Sequence, residues 1–372
     1  TRGLVTSADD GDDDILRMGV VDARNTDMSL QRDFELSLKA ASLGNPVSQY
    51  RVGIFYKKGL GIPQDYAKAM RWFLKAAEHY YVRAQFEIGE LYCFGRGVSE
   101  DNARAMEWYL KAAERGHILA RCRVGFLYKT GRGVPQDYGK AMTWLLKAAE
   151  QDHPAAQCSV GVLYHQSMSV EQDCSKAMAW FLRAALQGHT SSQYIIGLLY
   201  QNGHGVPKDY SQAMEWFIKA AKSNHAPSQY EIGELFFYGH GVSENNTEAM
   251  KWYLKAAGQE YAAAQFSLGI IYHRGFGVLK DTVQAMEWYR KAAEQGYAAS
   301  QYQLGFLYHE SSGVQQDYTK AKFWFLKAAL QGHALSQYSL GVLYQKGRGV
   351  PQNCAQSAAW FLKSANNKHT AL

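Results

Sequence analysis

A glycine and a tryptophan each return every 36 residues along this chain, nine times over and without an insertion. The glycines are Gly53, Gly89, Gly125, Gly161, Gly197, Gly233, Gly269, Gly305 and Gly341. The tryptophans run in the same phase from Trp72 and Trp108 to Trp360, and they use every tryptophan of the chain. A period of this length marks a stacked repeat architecture, in which one unit is too small to bury its own apolar face and does so against its neighbours.

The first copy shows why each unit folds. Residues 47–58 read as a short helix A, followed by a turn over 59–64 whose Gly59 and Gly61 suit the backbone that ends a helix. Asp65 is placed to cap helix B at 66–78, its carboxylate accepting from the unpaired N–H groups of the first turn. Asp or Asn fills this position in every copy: Asp101, Asp137, Asp173, Asp209, Asn245, Asp281, Asp317 and Asn353 follow. Within helix B, Ala69, Trp72, Phe73 and Ala76 fall on one face at helical spacing. Both halves of the unit have a helical period, so the chain is expected to be all-α.

Between Ala263 and Gly296 the copy carries Leu268-Gly269, Tyr272, Gly275, Gly277-Val278, Asp281, Ala285, Trp288, Lys291-Ala292-Ala293 and Gly296. This pattern resembles the Sel1-like repeat, a relative of the tetratricopeptide repeat, and the resemblance spans residues 46–369. It implies a right-handed α–α superhelical solenoid of nine 36-residue helix-turn-helix repeats. It further implies a concave surface, built mainly from A helices, that binds other proteins, and a scaffold or adaptor rather than an enzyme.

Ends and departures qualify the pattern. Residues 1–31 hold seven Asp against three Arg, a net charge of −4 in a chain of net +6, and read as an acidic, disordered tail. Residues 32–45 align with the second half of a repeat and are expected to form an N-terminal capping helix. Residues 370–372 end the chain without a polar cap, which leaves a homodimer through the Trp360 and Phe361 end open. Ser167 and Ser169 replace both turn glycines of repeat 4, and Ser311 replaces the first of repeat 8, so these turns are expected to follow a different path. A longer period of 144 residues relates repeat 2 to repeat 6, 4 to 8 and 5 to 9, the signature of a duplicated four-repeat block.

Framework positions are set by packing, so partner contacts are sought where copies differ. On helix A these are position 47 and those 4, 7 and 11 residues on, which share one face. The candidates, repeat by repeat, begin with Arg51, Ile54 and Lys58, then Glu87, Glu90 and Phe94, then Arg123 and Phe126. They continue with Ile195, Leu198 and Asn202, then Glu231, Glu234 and Tyr238, then Arg274, and finally Phe306. Apolar centres flanked by charges suit an extended peptide or a helix. The alternative for residues such as Ile54 is contact with neighbouring A helices. Two carboxylates one turn apart repel, so Glu87/Glu90 and Glu231/Glu234 point to a basic partner.

Other chemistries find little support. No Ser-His or Cys-His pair recurs in phase with the carboxylates, so no catalytic residue, cofactor or metal is expected. His117, His153, His189, His225 and His333 sit in a repeat-end slot that elsewhere holds Tyr. A basic body and 25 tyrosines raise nucleic-acid binding as a rival. Against it, the tyrosines are in framework phase, and the Lys of each Lys-Ala-Ala lies on helix B, away from the expected groove. The resemblance also admits binders or hydrolases of cell-wall carbohydrate of the cysteine-rich bacterial type, whose regularly paired cysteines this chain lacks. Its five cysteines (Cys93, Cys122, Cys158, Cys174, Cys354) read as reduced thiols and imply a cytoplasmic or nuclear setting. No apolar run is long enough to cross a membrane. No signal peptide is recognisable, although a chain that begins at Thr1 leaves a removed segment open.

Overall fold

The structure, a computed structural model, describes residues 23–166, 173–311 and 315–369. Nineteen α-helices and no strand are present among them. The first, α1 (Ala23–Ser42), precedes nine helix pairs. The A helices are α2 (Pro46–Lys58), α4 (Val82–Cys93), α6 (Ile118–Thr130), α8 (Pro154–His165), α10 (Thr190–Asn202), α12 (Ala226–Tyr238), α14 (Ala262–Arg274), α16 (Ala298–Glu310) and α18 (Ala334–Lys346). The B helices are α3 (Tyr66–Glu78), α5 (Asn102–Glu114), α7 (Tyr138–Ala149), α9 (Cys174–Leu186), α11 (Tyr210–Lys222), α13 (Asn246–Ala257), α15 (Thr282–Glu294), α17 (Tyr318–Leu330) and α19 (Cys354–His369). They divide into two compact units, residues 1–180 and 181–372.

The caps form as the sequence requires. Asp65 Oδ1 accepts the Lys68 N–H at 2.9 Å, and each of the other eight Asp or Asn residues makes the matching bond. The repeat-end histidines are caps as well: His117 Nδ1 accepts the Ala120 N–H at 3.2 Å, and His153, His189, His225 and His333 do the same for their own A helices. In six repeats a buried glutamine in helix A ties the copy to the helix before it, as when Gln301 Nε2 donates to the Ala293 carbonyl at 3.0 Å. Arg121 substitutes for it in repeat 3, donating to the Ala113 carbonyl at 3.1 Å.

Close packing accounts for the framework glycine. A Cβ on Gly53 would lie 2.4 Å from the Phe73 ring, so the two helices meet only because that carbon is missing. Phe73 is fully buried among Ala69, Ala76 and Ala84, and burial of one such ring stabilises by about 2–3 kcal/mol. Gly97 is required for a different reason: its φ is +72°, and a side chain there would run into Tyr66 of the preceding B helix.

Two expectations are adjusted. Helix α1 begins at Ala23, inside the segment 1–31 read as a tail, because Leu30, Phe34, Leu38 and Ala41 form one apolar stripe. The stripe packs against Val52 and Phe55 of the first repeat. Ser311, expected to divert its turn, instead takes the left-handed conformation of the glycine it replaces, at φ 59°. The Asp317 N–H still reaches the Tyr308 carbonyl at 3.0 Å, as Asp65 does to Tyr56 in repeat 1. Ser167, Ser169 and residues 370–372 lie outside the described residues.

Candidate functional site

Successive A helices are joined by side-chain bonds, and these decide which variable positions remain available. Phe94, Phe126, Tyr238 and Phe306 are 49%, 47%, 58% and 38% exposed. Arg51, Lys58, Asn202 and Arg274 are exposed too, while Ile195 and Leu198 are half-buried. Ile54, expected to face a partner, is instead in the core with Tyr50, Phe73 and Ile88, because it fills the space between α2 and α4.

In repeat 2 the acidic pair is already matched. Lys57 Nζ bonds to Glu87 Oε2 at 2.5 Å, and Glu87 is buried. Arg123 grips Glu90 with both arms of its guanidinium, Nε to Oε1 at 2.8 Å and Nη2 to Oε2 at 3.1 Å. The same guanidinium lies 5.6 Å from the centre of the Phe94 ring, a cation–π contact. Arg96 stands over that ring as well, at 5.3 Å. Beneath, the Tyr109 hydroxyl donates to Glu90 Oε1 at 2.7 Å, and burial together with Glu90 holds that phenol far above its ordinary range. Glu87, Glu90 and Arg123, all expected to meet a partner, thus meet one another and Lys57.

Repeat 6 repeats the carboxylates but not the cations. At the places of Lys57, Arg96 and Arg123, each 144 residues on, stand Gln201, His240 and Ser267. Gln201 Nε2 donates to Glu231 Oε2 at 3.2 Å. The Tyr253 hydroxyl donates to Glu234 Oε1 at 2.6 Å, with the Tyr230 phenol near the same carboxylate. Among the described residues no Lys or Arg pairs with either carboxylate. Burial raises the pKa of Glu231 above the ordinary 4.5, and the nearby Glu234 adds to the rise while the Gln201 amide opposes it. Burial raises Glu234 likewise, against the pull of Tyr253 and Tyr230.

A cleft of about 320 Å³ opens between α6 and α8, lined by Leu119, Cys122, Arg123, Phe126, Lys129 and His153 among others. It brings Cys122 Sγ within 3.4 Å of His153 Nδ1, a thiol–imidazole neighbourhood that in-phase comparison of the sequence did not find, since the two are 31 residues apart. Burial drives the thiol up to about 12 and the imidazole down. The pair is therefore neutral, the reverse of the thiolate–imidazolium state of a reactive cysteine, and His153 is engaged in capping α8.

On most B helices a lysine three residues after the tryptophan lies over that ring. Lys75 lies 4.3 Å from the Trp72 ring, Lys111 3.9 Å from Trp108 and Lys219 3.7 Å from Trp216. Lys147, Lys255, Lys291, Lys327 and Lys363 stack on their own tryptophans in the same way. This recurrence has a packing cause and needs no phosphate ligand. Among the described residues no His, Cys, Asp or Glu cluster could hold a metal ion, and no helix is long and apolar enough to cross a membrane.

Nine consecutive segments, 46–81, 82–117, 118–153, 154–189, 190–225, 226–261, 262–297, 298–333 and 334–369, each match the Sel1 repeat. Two solved structures are similar over most of their length. A protective antigen present in uropathogenic Escherichia coli strains, displaying an SLR fold, is 32% identical with a TM-score of 0.69, over 89% of this chain and 79% of that one. A Sel1 repeat protein from Oxalobacter formigenes is 30% identical with a TM-score of 0.66, over 89% of this chain and 99% of that one. Comparison with curated protein sequences finds no match.

Proposed function

The chain belongs to the Sel1 repeat family, and from that premise we propose that it is a non-catalytic scaffold holding a peptide or helical segment of a partner on its A helices. Sel1 repeat proteins are in general protein-interaction scaffolds. The observation that carries the reading to the A helices is the exposure of large aromatic side chains at their variable positions. Phe94 and Phe126 in the first unit, and Tyr238 and Phe306 in the second, each keep a large part of the ring in water, Phe94 and Tyr238 with a cation or an imidazole on one face. Aromatic anchors of this kind, rimmed by charge, dominate binding in protein interfaces. Most B-helix tryptophans lie under a lysine of their own helix, and the one B-helix aromatic of comparable exposure among the described residues, Phe323 at 50%, has Lys327 over its ring. The five free cysteines support a reducing compartment, cytoplasmic or nuclear.

The test is site-specific photocrosslinking with p-benzoylphenylalanine at Phe126 or Phe306, against the exposed B-helix residue Glu107 as control. Protein adducts from the A-helix positions that are absent from the Glu107 position support the reading. Equal adducts from both sides contradict it. Filter binding of RNA and DNA across a salt series addresses the nucleic-acid rival, which predicts tight, steeply salt-dependent binding.

A further inference from the structure

We propose that Glu231, Glu234 and the ring of Tyr238 form a receptor for an arginine side chain of a protein partner, in the place that the chain's own Arg123 occupies in repeat 2. The inference rests on the scaffold reading and deepens it by naming what one part of the A face recognises.

Repeat 2 supplies the template. Arg123 reaches Glu90 from the next A helix, forms two bonds with its carboxylate and covers the Phe94 ring. Every acceptor of that arrangement has a counterpart in repeat 6: Glu234 for Glu90, Glu231 for Glu87 and Tyr238 for Phe94. Every cation is gone. Ser267 ends several bonds short of where the Arg123 guanidinium lies, near the Tyr230 phenol. Tyr238 is exposed at 58%, with the His240 imidazole stacked on it at 5.7 Å where repeat 2 places Arg96 over Phe94.

A second observation is independent of the acidic pair. Gln201, in the place of Lys57, gives its amide N–H to Glu231, while its Oε1 is buried without a hydrogen-bond partner. A buried acceptor left over beside two carboxylates calls for a donor. A guanidinium carries five N–H groups and no acceptor, enough to serve Glu234 and Glu231 together. The Tyr253 hydroxyl occupies one of the acceptor positions of Glu234, but it brings no positive charge, and a carboxylate has about four such positions. Arginine fits better than lysine, since its planar fork matches a carboxylate and stacks on a ring, as Arg123 does. A hard metal ion fits poorly, because the Tyr253 phenol points its O–H group at Glu234.

The experiment measures fluorescence anisotropy with a fluorescein-labelled, amidated peptide, Leu-Ala-Arg-Leu-Ala-Arg-Leu-Ala, and its twin with citrulline, the neutral isostere, at both arginines. The whole chain is used. The expected result is binding of the arginine peptide about tenfold tighter than the citrulline peptide, the worth of one charge-assisted pair. That preference disappears in Gln201→Lys/Ser267→Arg, which rebuilds the repeat 2 arrangement and fills the site from within. It also disappears in Glu231→Gln/Glu234→Gln, a variant that needs no new packing. Equal affinity of the two peptides for the native chain overturns the proposal, as does a preference that survives in both variants or is abolished equally by millimolar calcium. A crosslinking pattern confined to the A helices together with equal peptide affinities retires the arginine receptor and leaves the scaffold standing. Crosslinks spread over both faces retire the scaffold, whatever the peptides do.

Discussion

Repeats 2 and 6 carry the same Glu-Ile-Gly-Glu-Leu segment on the same face of the same helix. Their surroundings give it opposite electrostatic states. Lys57 and Arg123 neutralise Glu87 and Glu90, and the ion pairs knit three consecutive A helices of the first unit together. In the second unit, Gln201 and Ser267 leave Glu231 and Glu234 with neutral donors and pKa values above the ordinary range. A duplicated surface therefore does not mean a duplicated site. Closing the acidic pair with the chain's own cations makes structure, and leaving it open stores a binding preference at a cost in stability.

The largest expected effect comes from neutralising the two pairs one residue at a time. Glu90→Gln strands Arg123 and should cost about 1–2 kcal/mol in denaturant unfolding. Breaking a fully buried pair costs about 3–5 kcal/mol, and the figure is reduced here because the Arg123 side chain is 40% exposed. Glu234→Gln should cost nothing or stabilise, since it removes half-buried charge that no cation balances. Equal losses at the two sites would break the comparison.

Exchanging the surroundings sharpens it. Gln201→Lys/Ser267→Arg should stabilise the second unit by about 1 kcal/mol, read as slower amide exchange in α12. Lys57→Gln/Arg123→Ser should destabilise the first unit and create a second arginine-selective site there. A smaller effect, independent of charge, serves as the control. Tyr80 and Glu260 hold left-handed backbone at φ 58° and 61°, where Gly116, Gly188, Gly296 and Gly332 stand at other repeat ends. Tyr80→Gly and Glu260→Gly should each stabilise by about 1 kcal/mol, alike in both units.

The smallest effect concerns acid. Backbone N–H groups lower the pKa of the cap residues Asp65, Asp137, Asp173 and Asp317, with Lys neighbours assisting. Their stabilisation is complete above the unfolded carboxylate value of about 3.9 and is lost as pH falls through the lower folded values. Glu231 and Glu234 act in the opposite sense. Their folded pKa values lie above 4.5, so the stability tied to their protonated forms is present below that value and is lost as pH rises through the folded ones. Denaturant unfolding across mildly acidic pH should therefore show the Glu234→Gln variant converging on the native chain as pH falls.

The frame was legible because each of its demands is stated nine times. Gly53 against Phe73, Asp65 on the Lys68 N–H and Trp72 beneath Lys75 are local or one helix apart, and repetition separates them from chance. The site was legible only as a list of positions. Reading the stripe helix by helix placed Glu87, Glu90 and Arg123 on one face, yet their pairing runs across repeats, Lys57 to Glu87 over 30 residues and Arg123 to Glu90 over 33. Ile54 and Phe126 share a sequence position, and only packing buries the first and exposes the second. The signal that could have found the difference was present in the superperiod, in the three basic residues of the first block that become Gln201, His240 and Ser267 in the second.

The open state of the repeat 6 pair can be observed at its own carboxyl carbons. With glutamate labelled at the carboxyl carbon, an NMR titration of the free chain should show Glu231 and Glu234 ionising above 4.5. Saturating arginine peptide should bring both down, with the citrulline peptide leaving them in place. Carboxyls that titrate at or below the ordinary value in the free chain would mean that a cation already balances them, and would contradict the account.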